Sequence, residues 1–532
     1  MKNFYILVVA LLSVSAYAQT VTATIGYQGY DETQEYFGQG EYEIFLDNVD
    51  GVLDKPILVL DGYDPGDARD IPALYGILNF AGGNLADILR DQGFDIVIMN
   101  SPQYSTDGLD VDGGSDYIQR NAMVFAELIQ TINAQKVGGE ELVVIGPSMG
   151  GLISRYALSY MEQNSIAHDT RLFISFDSPH LGANIPISFQ YLLNYIAEAE
   201  DNADAQLIVS SLLNTPAAKE MLVDHYLGHL LAGSTYEQDP SILLPTGAPN
   251  FRDAFQAELD GLGFPINVRN VSMINGSGTS MMTGAPSTAI LETTLDLGSF
   301  TTVDLDLYFT PAAGQTDQVT GFQSYFLGIP ISSFIAVAQS PAASAGYDSA
   351  PGGTTGLVDG IDPGDNPIII ALLEAIEQDT FSFIPTISSL AIDNEDDLYV
   401  SPDIGGIHTS PFVNTYIPDE NQMHITLNEF NVEFALEEIL DGTIGVNDFT
   451  LANKYILAEN PVSNYIYLKL NSSLEYRNVE ISIYSMTGQQ LQQLTYSELQ
   501  NDIAIEHTLS SGMYILNITD AEVSKAIKFI VK

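Results

Sequence analysis

"LVVIGPSMGGLISRYAL", residues 142–158, joins a short apolar run to an apolar helical pattern through glycines around one serine. The run LVVI has the length and β-branched content of a strand buried on both faces. After the bend, Leu152, Ile153, Tyr156, Ala157 and Tyr160 fall on one stripe at helical spacing. Ser148 therefore sits at the turn between a buried strand and a helix, inside G-x-S-x-G. Such a turn forces the serine backbone into a strained conformation, and flanking glycines remove side chains that would collide with it. It exposes the hydroxyl at the end of the sheet, and the Met149 and Gly150 N–H groups open a helix whose positive end favours a developing oxyanion. The pattern is that of a nucleophile elbow; the alternative is a purely structural turn.

Outward from the bend, PILVL (56–60), FDIVIM (94–99) and LFISF (172–176) repeat the buried-strand signature. Between them, NLADILRDQG places Leu85, Ile88 and Leu89 together and closes on Gly93. The stretch 117–132 places Ile118, Ala122, Phe125, Ile129 and Ile132 on one face. Strand, helix and strand in alternation imply right-handed crossovers and a mostly parallel sheet, hence an α/β core. From about 190 to 350 the regularity loosens into an insertion, either a lid or pocket wall or plain surface decoration. It comprises a helical stretch to about 260, a strand within INVRNVSMINGS (266–277), a β-rich excursion around VDLDLYF (303–309) and a turn-rich loop, PAASAGYDSAPGGTTG (341–356).

The chain has 532 residues, 45% of them hydrophobic, enough for more than one packed domain. Seventeen Lys plus Arg stand against 69 Asp plus Glu, a formal charge of −52 that repels nucleic acid and anionic membranes. Cysteine is absent, which excludes disulfides, thiolate metal sites and cysteine nucleophiles. The acidic DNEDD (393–397) matches no calcium-loop spacing. MKNFYILVVALLSVSAYA (1–18) reads as a signal peptide, an apolar run too short to span a membrane followed by Ala-Tyr-Ala. From Ile456 the pattern changes to short alternating strands such as NYIYLKL, VEISIYS and MYILNIT, which predict a small β-sandwich over 454–532. The domain boundary is expected between Gly445 and Lys454, so the α/β domain is expected over 19–450.

Three stretches, VLDGYDP (59–65), GPSMGGLISRYAL (146–158) and ISFDSPHLGA (174–183), resemble the lipase-like branch of the α/β-hydrolase superfamily. Asp61 stands where that branch has a histidine, and Ser178 where it has a threonine. The resemblance implies that the backbone N–H of Tyr63 joins that of Met149 as an oxyanion donor. The tail, with AENPVSN, ISIYSMTGQQL and LSSGMYILNI…KFIVK, resembles the C-terminal sorting domain of type IX secretion cargo. That implies export, to the medium or the cell surface, with the secretion machinery as partner.

A serine nucleophile needs a neutral imidazole oriented by a carboxylate. Of seven histidines, His507 lies in the tail and His180 in the SPHLG turn. His168 flanks a strand. His225 and His229 have i,i+4 spacing but lack the Glu of H-E-x-x-H, and His408 sits in a Gly/Ser/Pro-rich loop. His424 lies on a loop just before an amphipathic helix, where the resemblance places the catalytic histidine. The usual position of the acid, in SMINGSGTS, carries no carboxylate, and FIPTISSL (383–390) lacks the aspartate of a lipase-type turn. Asp177, at the end of LFISFD, is the first candidate, with Asp379 and Asp348 in reserve. The resulting expectation is a serine lipase or esterase acting on an ester or lipid with Ser148, His424 and Asp177. It requires no metal or cofactor. The alternatives are an acyltransferase or GPI-inositol-deacylase-like enzyme, or a binding protein on a hydrolase scaffold.

Overall fold

The computed structural model describes residues 18–359, 367–440, 455–457, 462–463, 465–470, 476–485, 489–499, 503–519 and 524–532. The signal peptide, apart from Ala18, and the expected boundary at 445–454 lie outside the described residues. By packing, the chain divides into two units, Met1–Leu440 and Asp441–Lys532.

The larger unit is built on an eight-stranded sheet. Its strands are β1 (Gln19–Thr22), β2 (Gln39–Phe45), β3 (Pro56–Leu60), β4 (Asp95–Asn100), β5 (Leu142–Pro147), β6 (Thr170–Phe176), β7 (Arg269–Met273) and β8 (Asn414–Tyr416). Their spatial order is β1-β2-β4-β3-β5-β6-β7-β8. Pairs from β4 onward are parallel, whereas β1 with β2 and β2 with β4 are antiparallel. This is the α/β-hydrolase architecture the elbow led us to expect. The two antiparallel strands went unread because Gln19–Thr22 is only four residues long and Gln39–Phe45 alternates with polar residues.

Alternate residues of the parallel strands go to opposite faces. On one face Leu58, Val97, Val144 and Phe173 pack against α2 (Ile118–Gln135) and α3 (Met149–Gln163). On the other, Ile57, Ile98, Ile145, Ile174 and Val271 pack against α1 (Leu85–Asp91) and α5 (Glu429–Leu440). Burying each such side chain contributes about 1.5–3 kcal/mol, which is why these strands read as unbroken apolar runs.

The expected insertion is split in two by β7. Before β7 lie α4 (Ile187–Glu198) and shorter helical segments; after it comes a four-stranded antiparallel sheet, Ala289–Gly298, Thr301–Tyr308, Thr316–Phe326 and Ile329–Gln339. That sheet packs on α4, with the Tyr195 ring stacked on Phe334 at 4.7 Å. The turn-rich loop ends in a strand, Gly352–Gly356, paired antiparallel with Thr380–Pro385. Among the described residues, no helix is long and apolar enough to cross a membrane.

The smaller unit has two antiparallel sheets. One holds Tyr455–Leu457, Tyr465–Leu470 and Ile503–Glu506; the other holds Gln490–Leu499, Tyr476–Ser485, Gly512–Thr519 and Ser524–Val531. Ile466, Leu468, Ile481, Ile483, Leu516 and Phe529 form one core, as a β-sandwich requires.

Candidate active site

Ser148 takes φ 53° and ψ −129°, between the end of β5 and the first turn of α3. A serine pays roughly 1–3 kcal/mol for such a backbone, and the glycines are there because space is absent. A Cβ at Gly146 would lie 2.6 Å from the Gly151 Cα, and one at Gly150 would lie 2.7 Å from the Asp61 carbonyl oxygen. The strand, the helix and the neighbouring loop thus converge on the serine. Met149 is the first residue of α3, so its N–H has no partner within the helix.

The structure brings together three of the residues singled out above, although they lie far apart in sequence. The Ser148 hydroxyl is 2.8 Å from His424 Nε2, and His424 Nδ1 is 2.7 Å from Asp177 Oδ2. With Asp177 ionised, Nδ1–H donates to the carboxylate and Nε2 is left to accept the serine proton. His424 is held from two sides. Its backbone N–H donates to the Thr354 carbonyl at 2.8 Å, and the Phe383 ring meets the imidazole edge to face at 5.0 Å.

Asp177 is fully buried at the end of β6, in a left-handed backbone conformation (φ 48°) that aspartate tolerates better than most residues. Its second oxygen, Oδ1, accepts from the Asn275 N–H at 3.1 Å and from Ser389 Oγ at 2.9 Å. These donors come from SMINGSGTS and FIPTISSL, the two segments in which a carboxylate was missing. Each supplies a hydrogen bond to the aspartate that stands elsewhere. The reserves are not at the site. Asp348 accepts from Thr310 N–H and Oγ–H and from Asn184 Nδ2, and Asp379 accepts from the Val358 N–H.

The loop after β3 lies against the serine: a Cβ at Gly62 would be 3.0 Å from Ser148 Cβ. Tyr63 sends its phenol away from that contact, to Thr215 Oγ1 at 2.9 Å and the Leu212 carbonyl at 2.8 Å. A clamp that sequence reasoning missed fixes the loop. Asp61 Oδ1 accepts from the Gly62 N–H at 2.6 Å and from Arg69 Nη2 at 2.9 Å, and the same Nη2 donates to the Tyr63 carbonyl at 2.7 Å. Burial pushes the Asp61 carboxyl up to about 7, against the opposing pull of Arg69. The only hint in the sequence was an aspartate where lipases carry histidine.

The remaining described histidines of this unit are engaged elsewhere. His180 Nε2 is 2.8 Å from Ser175 Oγ, and burial holds its imidazole well below the usual range. His225 donates to the Leu213 carbonyl, and His229 to Asp224 and the Ile242 carbonyl. His168 faces Glu162 and His408 faces Glu395 of the acidic DNEDD stretch. Among the described residues, no group of three or more His, Asp or Glu is placed to hold a metal ion.

Residues 114–212, which include the elbow, match the family described as "Putative serine esterase (DUF676)". Residues 460–532 match the "Secretion system C-terminal sorting domain". No curated protein sequence matches the chain. Among solved structures, similarity extends to a mature lipase, BlEst2, from Bacillus licheniformis, at 12% identity over 44% of this chain and 72% of that one, with a TM-score of 0.24. Est1E from Butyrivibrio proteoclasticus follows at 9% identity over 44% and 74% of the two chains, with a TM-score of 0.23. The rice cell wall degrading esterase LipA from Xanthomonas oryzae matches at 12% identity over 49% and 74%, with a TM-score of 0.27. Residues 114–212 are thus similar to a serine-esterase family, and residues 460–532 to a secretion sorting domain.

Proposed function

We propose that this protein is an exported hydrolase that cleaves carboxylic esters through Ser148, His424 and Asp177. Ser148 Oγ attacks the ester carbonyl while His424 Nε2 takes its proton. The carbonyl oxygen becomes an oxyanion facing the N–H groups of Met149 and Tyr63, in a loop held by Asp61 and Arg69. His424 then returns the proton to the leaving alcohol, and an acyl group remains on Ser148. Water, deprotonated by the same imidazole, hydrolyses that acyl-enzyme and restores the serine. Asp177 keeps the imidazole in the productive tautomer and stabilises the imidazolium that forms twice per cycle. The observation that carries this reading is the hydrogen-bonded chain of 2.8 and 2.7 Å from Ser148 through His424 to a buried Asp177.

The export route belongs to the same proposal: residues 1–18 act as a signal peptide, and the tail hands the folded enzyme to the type IX machinery for release or display at the cell surface. The test is turnover of p-nitrophenyl esters in a chain-length series, beside the matching p-nitroanilides. We expect esters to be cleaved, and Ser148→Ala to lose at least ~10³-fold in kcat. Equal turnover by wild type and Ser148→Ala, or cleavage of anilides alone, overturns the assignment.

A further inference from the structure

The four-stranded sheet of residues 289–339 buries one face and leaves the end remote from its base uncovered. Phe322, Phe334 and Ala336 are buried on the α4 side. At the far end two hairpin turns stand side by side, tied by the Leu327 N–H donating to the Phe300 carbonyl at 2.9 Å. The apexes and the start of the strand that follows are apolar and open: Phe300 is 75% exposed and Leu327 61% at the turns, and Ile329 65% and Ile331 62% at the strand's start.

The backbone makes this placement costly twice over. Phe300 has φ 65° and Leu327 has φ 51°, the left-handed region that suits Gly, Asn or Asp and disfavours bulky side chains. Tight hairpin turns ordinarily take Asn-Gly or Asp-Gly at such positions. Here a phenylalanine and a leucine occupy strained positions and face water as well. Strain and exposed apolar area coinciding at one tip point to a partner that repays both.

Charge and strand chemistry narrow the partner. Residues 289–339 contain no Lys, Arg or His, while Glu292, Asp296, Asp304, Asp306 and Asp317 are acidic. An anionic surface is therefore repelled. One of the two outer strands, Ile329–Gln339, carries Pro330 next to the tip, which removes a ladder donor and opposes strand addition by a second copy along that edge. Farther along, that strand is covered by Gln238, whose side chain bonds both the N–H and the carbonyl of Val337.

We propose that the paired tips around Phe300 and Leu327 form a docking element that inserts into a lipid surface of zero net charge. The apolar side chains enter the acyl region, and the acidic sheet behind them selects against anionic headgroups. This docking does not depend on the ester reading, because binding is measured without turnover.

The experiment is co-flotation of the full chain with phosphatidylcholine vesicles, comparing wild type with Phe300→Asn/Leu327→Asn. Asparagine fits the left-handed turns, so the variant should melt at or above the wild-type temperature and keep full turnover of a short, water-soluble p-nitrophenyl ester. Its partition onto vesicles should fall at least tenfold. Adding phosphatidylglycerol to the vesicles should weaken wild-type binding. Wild type that does not float, or a folded variant that floats equally well, overturns the proposal. So does wild-type self-association, detected by sedimentation and abolished in the variant, which would make a second copy the occupant.

Discussion

Replacing Gly353 with alanine puts a methyl group where Asp177 already stands. An ideal Cβ at Gly353 lies 2.0 Å from Asp177 Oδ2, the oxygen that faces His424, and 2.9 Å from its Cγ. Reaching even the 3.0 Å limit of real contacts requires about 1 Å of movement. The carboxylate cannot swing freely, because it is fully buried and Oδ1 is held by Asn275 and Ser389. The displacement must open the 2.7 Å bond to His424 Nδ1 or push back the strand Gly352–Gly356, and the carbonyl of Thr354 in that strand holds the His424 backbone. Either way the imidazole shifts against Ser148. Misplacement by about 1 Å costs ~10²-fold, and complete loss of the orienting carboxylate costs up to ~10⁴-fold, so kcat should fall between those limits. The assay is steady-state turnover of a short p-nitrophenyl ester, with the melting temperature measured alongside and Thr355→Ala as the control on the same strand. If the effect runs through the carboxylate, Gly353→Ala should add nothing in an Asp177→Ala background. A folded Gly353→Ala enzyme with wild-type kcat refutes the argument.

Asp177→Asn should fold normally and lose ~10³–10⁴ in kcat. Asp348→Asn should keep kcat but lose about 1–3 kcal/mol of stability, because its bonds to Thr310 and Asn184 are buried; kinetics and melting curves separate the two. Asp61 titrates near 7 in the folded state against 3.8 for the free side chain, so the native state holds a proton that the unfolded chain has released. The Asp61 contribution to stability therefore falls as pH rises through that window, by on the order of a few kcal/mol. Asp61→Asn should flatten the slope, as denaturant melts at pH 5 and pH 8 would report. Removing residues 460–532 should stop export while leaving turnover of the purified enzyme unchanged, checked by assaying medium and cell fractions.

How much of this was legible in the sequence depends on how local each signal was. The elbow was readable because strand, turn and helix all fall within 142–158, and each leaves its own periodicity. His424 was singled out by the resemblance, which places a histidine on the loop before that amphipathic helix, and the fold sets its Nε2 2.8 Å from the Ser148 hydroxyl. Asp177 was ambiguous because a strand-end aspartate is equally a turn residue; only the fold brings Asn275, Ser389 and His424 onto it from 98, 212 and 247 residues away. Gly353 lay in a stretch that read as a turn-rich loop, and nothing local marks its contact with Asp177. The strand Gln490–Leu499 escaped notice for a different reason: its residues are mostly exposed or half-buried, so it lacks the apolar alternation that identifies its neighbours.

Ester cleavage by this route requires Ser148 to carry the acyl group. The most direct test of that requirement is titration of the full-length protein with a fluorophosphonate, followed by intact mass and peptide mapping, with ester turnover measured on the same samples. One adduct per chain is expected, located on Ser148 within the peptide between Lys136 and Arg155, with turnover that falls in proportion to labelling. Stoichiometric labelling of Ser148 with turnover intact, or inactivation with the adduct on another residue, would contradict that requirement.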